Sequence, residues 1–143
     1  MGMRVRTGLA SLSAVCLIAG VGIVVVLGQE ACGITESARV AQYMASQSAG
    51  QCGPCVYGLP AIADDIARLA RGDADPALMS RLTRRLDQVD RRGACRHPDG
   101  AVQLVRSALN VFAADVNAHL HGAPCSHWNR PSQLRFPEPR RVT

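Results

Sequence analysis

An all-α fold, a small bundle of about four helices with a cysteine-bearing loop at one end, follows from three features of the chain. From about residue 30 to residue 121, apolar side chains recur at helical spacing. Aromatic residues are scarce, so the core must be built from Leu, Val, Ile and Ala, a composition that favours helices over a β-sandwich. Gly72, Gly93 and Gly122 with Pro124 then close the periodic stretches. The 143 residues make at most one domain with a modest core. Three parts are expected: an apolar segment over 1–28, a helical domain over 29–122 and a Pro- and Arg-rich tail over 123–143.

The apolar segment has two readings. Leu9 to Gly28 carries no charge and follows Arg4 and Arg6, which suits a membrane anchor with its N-terminus inside, since ~20 apolar residues cross a bilayer as a helix. Gly20, Gly22 and Gly28 weaken such a helix, and Ile23 to Leu27 is a β-branched run that suits a buried strand equally well. No small-residue cleavage site follows Leu27.

In the first helix Ile34, Ala38, Ala41 and Met44 share a face, with Thr35 and Glu36 near its start. The second begins at Cys52-Gly53-Pro54-Cys55, places Pro54 in its first turn, and carries Leu59, Ile62, Ile66 and Leu69 inward until Gly72. Asp75 and Pro76 open the third, whose inward stripe is Leu78, Leu82, Leu86 and Val89. The fourth is expected from about Pro98 to His121, with Ala101, Val105, Ala108, Phe112 and Val116 inward and Leu104 and Val111 beside them. The tail from Trp128, with three prolines and four arginines, reads as extended, a solvated strap or a dock for an acidic partner.

The net charge of +5 comes entirely from Arg. Between Glu30 and His127 ten Arg balance ten acids, so no basic face with interleaved aromatics is available to nucleic acid. Asp64 and Asp65 are expected on the outward face of the second helix as solubilising groups, not as an acid and base pair. His119 and His121 are expected at the exposed end of the last helix, where cations suit the dipole.

Six cysteines, at 16, 32, 52, 55, 95 and 125, are numerous enough for a disulfide framework, and Cys16 reads as a small buried hydrophobe. Chemistry concentrates in Cys52 and Cys55. Two thiols three residues apart at a helix start grip a metal or a cluster, and helix N-terminal amides draw them toward thiolate. Cys-Gly-Pro-Cys is also the active-site string of thioredoxin-like oxidoreductases, although the βαβ pattern of that fold is missing. Zinc is a third option, with Cys125, His119, His121 and His127 as further ligands. A hairpin of the second and third helices would return Cys95 to the same end as Cys52 and Cys55.

These residues resemble a family, the C-terminal iron-sulfur binding region of the NADH-binding flavoprotein of respiratory complex I (its F subunit) and related NADH dehydrogenases. The resemblance rests on Gln47-Ser48-Ala49-Gly50-Gln51-Cys52-Gly53-Pro54-Cys55, on Cys95 forty residues later, and on Asp99-Gly100-Ala101 with the helix after it. Upstream, Ala19 to Leu27 resembles the family's glycine-rich strand, which implies a strand over Val21 to Leu27 and no membrane span. Together the resemblance covers about residues 19 to 121.

It implies a helical module carrying a [4Fe-4S] cluster that takes single electrons from a flavin reduced by NADH. Cys52, Cys55 and Cys95 carry over as ligands; Ala49 stands where the family has its first cysteine. Cys125 is the first choice for the fourth ligand, ahead of Cys32, His97 or solvent, and Arg96 with His97 would tune the potential beside Cys95. No glycine-rich nucleotide loop occurs in residues 1 to 18. FMN and NAD therefore belong to a partner or a missing domain, and the chain reads as a fragment or a stand-alone module, not an enzyme alone. The implied partners are a flavin- and NADH-binding protein and other iron-sulfur carriers, in the cytoplasm, with membrane association through the apolar segment left open. The competing expectation is a membrane-anchored small protein whose Cys52 and Cys55 bind zinc or exchange disulfides.

Overall fold

The computed structural model describes residues 15–16, 25–28 and 30–136. Within them five α-helices form a bundle: α1 (Gly33–Ser46), α2 (Leu59–Ala70), α3 (Leu78–Val89), α4 (His97–Val111) and α5 (Ala113–Leu120). A π-helical turn, Pro54–Gly58, leads directly into α2.

Helix α2 is the hub and packs on α1, α3, α4 and α5. Its sequence explains why. Leu59, Ile62, Ile66 and Leu69 are buried as the spacing predicts, and Ala63, Ala67 and Ala70 are buried beside them, so small side chains let neighbours approach around a wide arc. Helix α3 buries only the narrow stripe Leu78, Leu82, Leu86 and Val89. Each such buried Leu or Ile contributes roughly 2 kcal/mol of transfer free energy.

Two glycines set how closely elements meet. A Cβ on Gly58 would stand 2.4 Å from Val89 Cγ2, so only glycine allows the π turn to lie against the end of α3. A Cβ on Gly33 would stand 2.3 Å from the Phe112 ring, which covers the first turn of α1.

Five expectations need correction. The last helix is not continuous: at Phe112 (φ −101°, ψ 33°) the chain turns and α5 begins, which brings the Phe112 ring over Gly33 and leaves Val111 half exposed. Asp65 is not an outward solubilising group but is 1 % exposed, because Arg81 and Arg85 of α3 reach across to it, Arg81 Nε at 2.9 Å from Oδ1 and Arg85 Nη1 on Oδ2. Asp64 is exposed as expected. His119 is fully buried, because α5 turns inward onto α2.

The tail is not a free strap. Ser132 Oγ and the backbone N–H of Gln133 donate to Glu36, Arg130 pairs with Glu30, and Phe136 stacks on Tyr43 with ring centroids 4.9 Å apart. The acidic partner of residues 130–136 is therefore the N-terminal part of this same chain.

The apolar strand or membrane-like segment is not borne out. The strand pairing among the described residues is a two-residue antiparallel match of β1 (Val15–Cys16) with β2 (Val25–Val26), and residues 21–24 of the expected strand lie outside the described residues. Most of 9–28 lies outside the described residues. Among those described, no helix is long and apolar enough to cross a membrane.

Candidate metal centre

Two segments meet at the N-terminal end of α2. The first is the loop leaving α1, which passes Gly50 at φ +64° and closes at Cys52, whose carbonyl accepts the backbone N–H groups of Cys55 and Val56 at 3.0 Å each. This turn puts both thiols of the pair at the start of the π turn. The second is the loop between α3 and α4. Arg91 adopts φ 57° there, and its N–H donates to Asp99 Oδ1 at 2.8 Å. Gly93 permits a tight return, since a Cβ on it would lie 2.8 Å from Pro98.

The two loops lie side by side, because the π turn packs on the end of α3 at Gly58 and Val89. The backbone of Ala94, one residue before Cys95, is the largest influence that lowers the Cys52 pKa, with the Cys55 N–H adding to it against the opposing effect of desolvation. For Cys55 burial dominates and pushes the thiol up. The adjacent Cys52 thiol adds to this, the Gly50 N–H opposes it, and the charge of Cys95 is felt as well. Cys95 itself is exposed and borders an open concavity of about 460 Å³ lined also by Gly93, Ala94 and Arg96. The hairpin of α2 and α3 thus brings Cys52, Cys55 and Cys95 to one end of the bundle.

This donor set fits an iron-sulfur cluster at three corners. The sulfurs are soft and anionic when bound, they sit at one end of the bundle, and there is room beside Cys95. The expected fourth ligand is not there. Cys125 packs with Cys32 and His119 at the far end of α2, where His119 Nδ1 lies 3.2 Å from the Leu69 carbonyl. A helix of 12 residues separates the two ends by about 18 Å. Gly122 and Pro124 turn the chain against the C-terminal end of α2, with Pro124 beside Gly72, rather than back to its start. His97 donates through Nε2 to the Met44 carbonyl at 2.8 Å and is thereby tied to α1.

A family model, the NADH-ubiquinone oxidoreductase-F iron-sulfur binding region, matches residues 35–119, which include Cys52, Cys55 and Cys95. The chain belongs to that family. The F 2 subunit of NADH-quinone oxidoreductase in Rhizobium meliloti (strain 1021) is 27 % identical over 115 residues, which is 80 % of this chain and 27 % of the relative. Mitochondrial NADH dehydrogenase [ubiquinone] flavoprotein 1 of Dictyostelium discoideum is 28 % identical over 97 residues, 68 % of this chain and 20 % of the relative. The chain therefore spans about a quarter or less of these relatives. Among the described residues the iron-sulfur binding region is a helical bundle, in keeping with the expectation, with five helices in place of about four.

Sequence spacing treats Cys32 and His119 separately and so misses that the fold gathers them with Cys125. The available signal was an even number of cysteines with three left unused by the motif, but nothing in the spacing of 32, 119 and 125 says that they meet.

Proposed function

We propose that this iron-sulfur binding region is an electron-transfer module. Cys52, Cys55 and Cys95 hold three corners of a [4Fe-4S] cluster, which when bound supplies one-electron exchange. The observation that carries this reading is that the turn bearing Cys52 and Cys55 lies against the end of α3 at Gly58 and Val89, beside the loop that carries Cys95.

The chain's own contribution is positional and electrostatic. N–H groups of Ala94, Cys55 and Gly50 offset thiolate charge and so favour the reduced state of a bound cluster. The fourth corner is left to solvent or to a partner, since Ala49 has no donor side chain. Tyr57 and Val56, 77 % and 46 % exposed beside the cysteines, offer an apolar landing for a partner that carries FMN and NAD. That partner, or a further domain, performs hydride chemistry and passes single electrons to this module. The names of the relatives, an NADH-quinone oxidoreductase subunit and an NADH dehydrogenase flavoprotein, support this assignment. A cytoplasmic setting in contact with other iron-sulfur carriers is part of the same proposal.

Anaerobic purification followed by iron and sulfide analysis and by EPR after dithionite reduction tests it. A brown protein with near-stoichiometric iron and sulfide and a reduced-cluster signal is expected. A colourless protein with zinc at Cys52 and Cys55, or with a reversible disulfide between them, would replace electron transfer by the competing reading.

A further inference from the structure

The far end of α2 holds a second constellation that the iron-sulfur reading does not use. Cys32 Sγ, His119 Nε2 and Cys125 Sγ lie within 4.8 Å of one another. Cys32 is 2 % exposed and His119 fully buried, while Cys125 is half-buried. The three residues come from the N-cap of α1, the last turn of α5 and the segment after it, so the cluster joins elements distant in sequence.

The imidazole is set up as a ligand. His119 Nδ1 faces the Leu69 carbonyl at 3.2 Å, and a carbonyl only accepts, so the proton sits on Nδ1 and Nε2 carries a lone pair. Metal-binding histidines are held in this way, with the second nitrogen donating to a backbone carbonyl. Nε2 faces Cys32 Sγ at 3.4 Å and accepts the backbone N–H of Cys125 at 3.3 Å, a hydrogen bond that metal binding would replace. Tetrahedral zinc with Zn–S of about 2.3 Å and Zn–N of about 2.0 Å would separate sulfur and nitrogen by about 3.5 Å. The Cys32–His119 separation matches this, and the Cys125 loop must release its N–H from Nε2 to bring its sulfur in. His127, two residues beyond Cys125 in the turn closed by the Trp128 N–H on the Cys125 carbonyl at 3.0 Å, has a buried Nδ1 with no hydrogen-bond partner but is not one of the three gathered ligands.

We propose that Cys32, His119 and Cys125 form a zinc site that clips the start of α1 to α5 and the tail, separate from the cluster ligands. Binding replaces two S–H bonds with two Zn–S bonds and releases two protons, with no change of oxidation state. Two thiolates and one imidazole select zinc over hard cations such as magnesium or calcium. The clip closes a loop from residue 32 to residue 125 and so holds the whole described bundle together from its two ends.

The test uses the full chain, purified anaerobically, with zinc and iron counted on the same sample. About one zinc per chain is expected in addition to iron, and both Cys32→Ser and Cys125→Ser should lose the zinc while keeping the iron. Cys95→Ser should do the reverse, so that failure of the cluster reading and failure of this one are told apart. Should the Cys32 or Cys125 variants not fold, cobalt added to zinc-stripped wild-type protein decides: one equivalent with tetrahedral, thiolate-ligated absorption bands, undiminished in Cys95→Ser, supports the site. Zinc content unchanged in Cys125→Ser, cobalt bands lost with Cys95→Ser, or a Cys32–Cys125 disulfide found by peptide mass in the anaerobic protein would each overturn it.

Discussion

The two ends of α2 carry the same element in surroundings that differ in one respect, the backbone donors that reach Cys52. At its N-terminal end the backbones of Ala94 and Cys55 lower the Cys52 pKa, burial raises that of Cys55, and Cys95 is open to solvent. At its C-terminal end burial comes first: it pushes the Cys125 thiol up to about 11, and the Cys32 side chain adds to the effect. Backbone donors prepare sulfur to be anionic before a metal arrives, whereas apolar packing keeps it protonated until one does. A cysteine's chemistry in this fold is thus set by which kind of neighbour reaches it, loop amides or core side chains.

The comparison breaks most completely under Cys55→Ser. Nearly all iron and sulfide should be lost, as measured by colorimetric assay, while zinc at the other end stays unchanged. In reduced, metal-free protein at pH 8, iodoacetamide should modify Cys52 roughly a hundredfold faster than Cys125, because thiolate fraction and access both favour it. Peptide mass spectrometry over a time course reads this, and equal rates would erase the electrostatic contrast.

The clamp holding α2 to α3 comes next. Arg81→Ala with Arg85→Ala strands the buried Asp65 carboxylate, and urea denaturation should show a loss of about 3–5 kcal/mol. Gly58→Ala drives a methyl into Val89 and should cost about 1–3 kcal/mol while lowering iron retention at the cysteine end. Val89→Ala in the same chain should return part of that loss, which a double-mutant cycle measures.

The smallest effect concerns Asp75. The hydrogen bonds from Arg81 come first and outweigh the opposing desolvation, and the Ala77 N–H adds to them, so its carboxyl is held below the usual range. A depressed folded pKa means that this contribution is fully present above the unfolded value and fades as pH falls through the folded one. Asp75→Asn should therefore lower stability slightly at neutral pH and not at all at strongly acid pH, read from urea midpoints across that range. An equal penalty at both extremes would remove the electrostatic account.

Much of the bundle was legible in the chain. The stripes on α2 and α3 are local periodicities, the N-terminal segment of α2 is marked by Pro54, and a hairpin of two helices must return its second end to its first, so Cys52, Cys55 and Cys95 had to share an end. The family motif says the same residue by residue. Asp65, His119 and the tail were not legible, because each depends on a contact with a distant element: Arg81 and Arg85 on α3, Leu69 on α2, Glu36 on α1.

The sequence by itself determined the helices, the inward faces of α2 and α3 and the three-cysteine end, since these follow from spacings within forty-odd residues. Only the tertiary structure decided where Cys32, His119 and Cys125 go. Their meeting depends on the turn at Phe112, which sends α5 down onto α2, and a bend of that kind arises from packing over Gly33 rather than from any local preference in the chain.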